Sequence, residues 1–159
     1  MRKYFWKSLV PFVFLLSACG PKTVEVVTDR FPDGKPKNVK LYKVDGKDST
    51  LLRETTYYQN GQKYMEGWYR NGQRDSVWTA WLNDGRIWSK GSYREGKEDG
   101  LKEVYHQNGQ LFYRGYYNNG QRTGEWKFYN DRGDLLQVIN YDAINSDSSM
   151  SPESSAGKF

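Results

Sequence analysis

The side chains that could perform chemistry are few in this chain. Its 159 residues include one histidine, His106, and one cysteine, Cys19. A disulfide framework is therefore excluded, and a Cys/His zinc site or a Cys–His dyad would need both residues at once. His106 falls in a column of otherwise unrelated residue types, which favours an exposed strand position over a catalytic one.

A second candidate is an acidic cluster around one turn, formed by Glu95, Glu98, Asp99 and Glu103. Paired carboxylates could hydrolyse a glycoside, and a group of them could bind calcium. The cluster lacks the spacing of a calcium loop, and the chain has no phosphate-binding or nucleophile motif. We expect a solvated hairpin turn, no metal, no cofactor and no enzymatic activity. An enzyme that acts on cell-wall material through Glu98, Asp99 or His106 stays open as an alternative.

The N-terminal segment gives Cys19 a different chemistry. Three basic residues within the first seven positions precede an apolar stretch over residues 8–18, which is too short to span a bilayer. It ends in Leu-Ser-Ala-Cys at positions 16–19, which resembles the lipobox of bacterial lipoproteins. The resemblance implies a signal peptide over residues 1–18 and acyl chains, such as palmitate, on Cys19. A cleaved signal peptide with an incidental cysteine is the alternative.

A lipid on Cys19 would place the protein in the bacterial cell envelope, anchored to a membrane. Gly20 follows the cysteine, and a glycine there resembles the sorting pattern for the outer membrane rather than the inner one.

Charge argues against nucleic acid as a partner. The formal net charge is +5, but residues 1–18 hold three of the 24 basic residues and none of the 19 acidic ones. The remainder carries 21 basic and 19 acidic residues, so it offers no basic surface for a row of phosphates.

The central region is a repeat of 24 residues with two turns per unit. Turn glycines recur at alternating spacings of 11 and 13 residues, namely Gly61, Gly72, Gly85, Gly96, Gly109, Gly120 and Gly133. Two aromatic columns keep the same period. They are Tyr57, Trp81, Tyr105 and Tyr129, and Tyr69, Tyr93 and Tyr117. Tyr64, Trp88, Phe112 and Leu136 form a further column with this period.

Each half-unit has the pattern of a β-strand that ends in a tight turn. Asn or Asp precedes most of the turn glycines, which favours type I′ hairpins. Residues 54–141 thus predict eight antiparallel strands, in an all-β, elongated, single-layer antiparallel β-meander built of 24-residue double-hairpin repeats. Strict alternation would place Tyr64, Glu66 and Trp68 on one face and Lys63, Met65, Gly67 and Tyr69 on the other.

The segments that flank the repeat differ from it. We expect residues 19–48 to be a lipidated N-terminus with a degenerate starting hairpin, and residues 49–141 to form the repeat sheet. Residues 142–159 are rich in serine, and we expect a disordered tail.

The unit Asn-Gly-Gln-Arg-Thr-Gly-Glu-Trp-Lys-Phe-Tyr at positions 119–129 resembles the MORN-repeat variant, in particular the bacterial antitoxin-like group of the YwqK type. The resemblance covers residues 50–141 and implies a twisted β-meander with a noncatalytic role in binding proteins or membranes. Three positions depart from the pattern. Ser76 and Ile139 replace glycines, and Lys102 replaces a tryptophan.

The seven rings of the two aromatic columns are the candidate binding residues. Such rings are core in most sheets, but a single layer has more aromatic positions than enclosed volume. We therefore expect a lipid-anchored platform that binds a protein partner, including an antitoxin or immunity-like role. The alternative is a module that binds cell-wall glycan or membrane headgroups.

Overall fold

A computed structural model describes residues 22–149, which form one antiparallel sheet of ten strands in the order of the sequence. The expected all-β single-layer meander is confirmed. The strands are β1 (Lys22–Arg30), β2 (Pro36–Asp45), β3 (Asp48–Tyr57), β4 (Lys63–Arg70), β5 (Gln73–Trp81), β6 (Ile87–Arg94), β7 (Lys97–Tyr105), β8 (Leu111–Asn118), β9 (Gln121–Tyr129) and β10 (Leu135–Asn140). The signal peptide and Cys19 lie outside the described residues.

The sheet continues without a break from the first hairpin into the repeat. β3 begins at Asp48 and pairs with both β2 and β4, so the expected boundary at residue 49 falls inside one continuous sheet. The eight strands expected between residues 54 and 141 are β3 to β10. At about 4.8 Å per strand spacing, the ten strands extend roughly 43 Å across the sheet.

Two kinds of turn alternate along the meander. The expected type I′ geometry occurs in the two-residue turns, where Asn71 and Gly72 have φ of 52° and 76° and Asn119 and Gly120 have 50° and 87°. It is wrong for the longer loops. There Gly61 has φ of 87°, while the Asn60 carboxamide oxygen accepts the amide N–H of Gln62 at 3.0 Å.

That side-chain hydrogen bond gives the longer loops their different geometry. Asn108 accepts the amide N–H of Gln110 at 3.0 Å, and Asp84 accepts that of Arg86 at the same distance. These acceptors hold an Asx turn, and only the following glycine needs positive φ. The longer loop accounts for the alternation of 11-residue and 13-residue glycine spacings.

Bulges explain the column of small residues in β5, β7 and β9. Ser76, Gly100 and Gly124 have φ of 59°, 108° and 64°, in the left-handed region that disfavours larger side chains. The strand pairing shifts at each of these places. Each bulge therefore inserts extra residues into its strand, as β-bulges do.

A further bulge overturns the strict alternation expected after the longer loop. The β3–β4 register shifts between the pairs Thr56–Met65 and Tyr57–Lys63. As a result the Lys63 ammonium contacts the Glu66 carboxylate at 2.8 Å, while Tyr64 lines the same depression as Met65. Lys63 and Tyr64 thus lie on the faces opposite to those expected.

Two tryptophans form the most buried part of the sheet. Trp78 and Trp126 are 4% and 1% exposed, and each indole lies flat on a glycine of the preceding strand. A Cβ on Gly67 would come within 2.0 Å of the Trp78 ring, and one on Gly115 within 2.2 Å of the Trp126 ring. Each indole N–H also donates to a backbone carbonyl, at 3.1 and 3.2 Å.

The C-terminal part of the described chain is a helix, α1 (Tyr141–Ser149). The expected disorder is therefore wrong for residues 142–149. The Asp142 carboxylate accepts hydrogen bonds from the Thr123 hydroxyl and the Gly124 amide, which fix the helix to β9. Tyr141 packs edge-on against Trp126 at a centroid distance of 5.6 Å. Within residues 22–149, no helix is long and apolar enough to cross a membrane.

The glycine contacts give a prediction with an internal control. Gly67→Ala or Gly115→Ala should cost about 3 kcal/mol of unfolding free energy in urea titrations, because the new methyl group overlaps an indole. Gly91→Ala should cost less than about 1 kcal/mol, because its nearest neighbour is the flexible side chain of Lys102 at 3.1 Å. Equal losses at the three positions would contradict the proposed role of the indoles.

Candidate functional site

The two faces of the sheet carry different surfaces. Residues that pair directly across strands share a face, and successive residues alternate between faces except at bulges. The pairs Trp78–Gly91 and Lys102–Gly115 place the glycine column on one face, here called the front face. The pairs Val77–Ser92 and Leu101–Tyr116 lie on the other, the back face.

The seven predicted binding rings are divided between these faces, and all of them are half-buried. Tyr69, Tyr93 and Tyr117 lie on the front face, where Tyr69 and Tyr117 pack edge-on against the buried indoles at 5.3 and 5.1 Å. The other column, Tyr57, Trp81, Tyr105 and Tyr129, lies on the back face near the longer loops. Packing within the sheet is thus a main role of the predicted rings.

Five other aromatic side chains are more exposed than the predicted ones. They are Tyr64 (40%), Trp68 (45%), Trp88 (45%), Phe112 (40%) and Tyr116 (53%). The sequence shows the 24-residue period of Tyr64, Trp88 and Phe112 but did not single out these rings as binding residues, because a bulge decides which face they occupy. Trp68 and Tyr116 form no aromatic column, because Ser92 holds the equivalent position between them.

On the back face, a row of five side chains crosses the consecutive strands from β4 to β8, with exposed apolar residues toward both ends and Ser92 at its centre. This back stripe consists of Trp68, Val77, Ser92, Leu101 and Tyr116. Three of its members are about half exposed, with Val77 at 50%. Several exposed large apolar side chains on one face of a sheet are typical of an interaction surface.

Charged residues border the back stripe. At the strand ends, Arg70 pairs with Asp75 and Arg94 pairs with Asp99, both at 3.4 Å. On the side of β3, the Arg53 guanidinium lies 5.6 Å from the Trp68 ring centroid. An apolar centre with a polar rim is the usual anatomy of a protein interface.

On the front face, an arginine covers the indole in each of the two repeats that contain Trp78 and Trp126, here called the outer repeats. The guanidinium carbon of Arg74 lies 4.1 Å from the Trp78 ring centroid, and that of Arg122 lies 4.5 Å from the Trp126 centroid. These distances are in the range of cation–π contacts.

In the repeat between them, here called the middle repeat, an ion pair replaces the arginine–tryptophan pair. Glu98 occupies the position of the arginines and Lys102 that of the tryptophans, and their charged groups meet at 2.9 Å. Burial is the largest single influence and works to lower the pKa of Lys102, but the hydrogen bond that Lys102 donates to Glu98 and the charge of that carboxylate together raise the pKa. Lys102 therefore stays charged near neutral pH.

The residues singled out for catalysis have structural partners. His106 contacts the Tyr129 carbonyl oxygen through Nε2 at 3.0 Å, and its ring lies 4.7 Å from that of Phe112. Glu98 faces the front and Glu103 the back, so the acidic cluster does not converge. Among residues 22–149, no three His, Cys, Asp or Glu side chains are placed to hold a metal ion.

Tyr105 is the predicted binding residue with the largest change in acidity. Burial, together with a 2.9 Å hydrogen bond to the Glu103 carboxylate, raises the pKa of Tyr105 to about 12. The hydroxyl donates to a carboxylate on its own strand, so the fold favours the neutral phenol.

This gives a prediction at alkaline pH. The unfolded tyrosine loses its proton near pH 10, while folded Tyr105 keeps it to about pH 12. The stabilisation is therefore complete below pH 10 and is lost as the pH rises through 12. The loss of unfolding free energy between pH 9 and pH 11 should be smaller in Tyr105→Phe than in wild type. Identical losses in the two proteins would show that the hydroxyl contributes nothing.

The chain was compared with curated proteins and with solved structures. A sequence comparison with curated proteins finds no match. Among solved structures, a mutant of S. aureus TarM in complex with fondaparinux, alpha-GlcNAc-glycerol and UDP is similar, at 12% identity and a TM-score of 0.32. That match covers 74% of this chain and only 19% of the TarM chain.

A family model described as the MORN repeat variant matches residues 98–119 and 122–143. The two segments begin 24 residues apart and correspond to β7–β8 and β9–β10. The chain is thus a β-sheet repeat protein that contains two adjacent repeats of the MORN variant.

Proposed function

We propose that this protein is a noncatalytic platform that binds a protein partner through the back stripe. The observation that carries the proposal is the exposure of Trp68, Val77 and Tyr116 on one face of the sheet, in a row that Ser92 and Leu101 complete. Tryptophan and tyrosine are the residue types that contribute most to binding energy at protein interfaces. Their burial by a partner would remove three exposed apolar side chains of this face from water.

The surroundings of the stripe support a protein partner. The ion pairs Arg70–Asp75 and Arg94–Asp99 border it with both signs of charge. A rim of this kind orients a partner that carries complementary charges, and a phosphate-rich nucleic acid would meet both signs. The pairs Val77–Ser92 and Leu101–Tyr116 hold the backbone of the stripe in register within two hairpins.

The remaining parts of the proposal rest on the sequence. A lipid on Cys19 would hold the sheet at the outer membrane of a bacterial envelope, with only a few residues before β1. The resemblance to the antitoxin-like group makes a toxin one candidate for the partner. Conversion of Cys19 to Ala should then release the protein from the membrane fraction. Inhibition of precursor processing by globomycin would test the lipoprotein signal independently.

Two tryptophans with equal exposure on opposite faces allow a matched test of the interface. Trp68 and Trp88 are both 45% exposed. After affinity capture from source cells and purification of the captured partner, Trp68→Ala and Tyr116→Ala should each weaken its binding at least about tenfold in calorimetry. Trp88→Ala should leave the affinity unchanged, because that ring lies on the front face. A partner that binds all three variants equally would refute the assignment of the back stripe.

A further inference from the structure

We infer that the front face holds a second binding site, for an extended β-1,4-linked glycan that carries carboxylate groups. The site lies over the middle repeat, between Tyr64 and Phe112. It is separate from the back stripe, so the inference goes beyond the proposed function and does not depend on it.

Three exposed rings mark the length of this site. Tyr64, Trp88 and Phe112 are 40%, 45% and 40% exposed, and they occupy the same position in successive repeats. Successive rings are therefore two strand spacings apart, roughly 10 Å. Sugar rings stack their C–H faces on aromatic rings. An extended β-1,4-linked chain repeats its disaccharide at nearly this length, so every second sugar could meet a ring.

Two hollows separate the rings. The first hollow lies between Tyr64 and Trp88, has a volume of about 120 Å³, and includes Ala80, Ser89 and Gly91 in its lining. The second hollow lies between Trp88 and Phe112, has a volume of about 390 Å³, and includes Ser89 and Val104. Trp88 borders both hollows. A ligand that follows the row thus meets a ring and a hollow in alternation.

The hollows exist because the middle repeat lacks an indole. In the outer repeats, Trp78 and Trp126 cover the column glycines so closely that a Cβ could not be added. Over Gly91 lies only the side chain of Lys102, with Cδ at 3.1 Å and Nζ at 3.3 Å from the position of an added Cβ. A lysine chain is thinner than an indole and can move, so it leaves room for a ring above the backbone.

The charges around the hollows favour an acidic ligand. The charged residues that line the first hollow are Arg74 and Lys102, and Lys102 also lines the second. Both are cations, and the Glu98 carboxylate that pairs with Lys102 at 2.9 Å lines neither hollow. Carboxylates on the sugars would approach two positive groups, and the sugar hydroxyls could form hydrogen bonds with the hydroxyl of Ser89.

A chain of flat rings fits this surface better than a protein segment does. The stacking groups are spaced evenly, with cations and small polar residues between them. An interface for a protein would instead concentrate its aromatic side chains at the centre.

The test compares three hexasaccharides with the full chain in calorimetry. They are β-1,4-linked oligoglucuronate, cellohexaose, which has the same linkage without carboxylates, and maltohexaose, whose α-linkage coils the chain. We expect oligoglucuronate to bind most tightly, cellohexaose more weakly, and maltohexaose at least about tenfold more weakly than cellohexaose. Equal binding of the α-linked and β-linked chains, or binding to none of them, would overturn the inference. Binding only to vesicles of anionic lipid would also overturn it.

Three variants locate the site. Trp88→Ala should weaken oligoglucuronate at least about tenfold, and the equally exposed control Trp68→Ala should stay within about twofold of wild type. The double variant Glu98→Arg/Lys102→Trp recreates the arginine–indole pair of the outer repeats and should fill the hollows. It should lose glycan binding while its thermal midpoint stays at or above that of wild type. Retained binding in Trp88→Ala, or equal loss in Trp68→Ala, would place the glycan elsewhere.

Discussion

The rest of this structure depends on the contact between an indole ring and a glycine of the neighbouring strand. A single-layer sheet has no second layer to cover its faces, so its own side chains must supply the buried surface. Trp78 and Trp126 do so by lying flat on Gly67 and Gly115, where any Cβ would collide with the ring. Each ring is then closed by an arginine and a tyrosine edge, which leaves the indole almost fully buried.

The middle repeat keeps the glycine and changes its cover. Glu98 and Lys102 replace the arginine–tryptophan pair there. Their ion pair at 2.9 Å provides an attractive contact but lacks the volume of an indole. A flanking repeat on each side retains its buried ring, so the sheet can accommodate one repeat with a thinner cover. The two faces differ in character, with a row that contains exposed apolar side chains on the back and alternating rings and hollows on the front.

The repeat period made the fold predictable, and local geometry limited what could be said of the site. Alternating glycine spacings gave the number and direction of the strands from Glu54 onward. The same glycines did not show that the loops at Gly61 and Gly85 would use an Asx turn, because Asn-Gly and Asp-Gly suit both geometries. Nor could the sequence place Tyr64, since a bulge of one residue decides which face its ring occupies. Helix α1 depends on the hydrogen bonds that β9 donates to the Asp142 carboxylate, and no local sequence pattern predicts that contact.

Hydrogen exchange of the backbone amides, resolved by strand, tests the central claim most directly. The longest strands, β2 and β3, have ten residues each and lack an indole on a glycine, whereas β4 and β8 have eight residues and carry the covered glycines. If the indole contacts stabilise the sheet, the slowest amides will lie in β4–β5 and β8–β9. If the slowest amides instead lie in β2–β3, the length of the hydrogen-bonded ladder sets the stability and the account is contradicted.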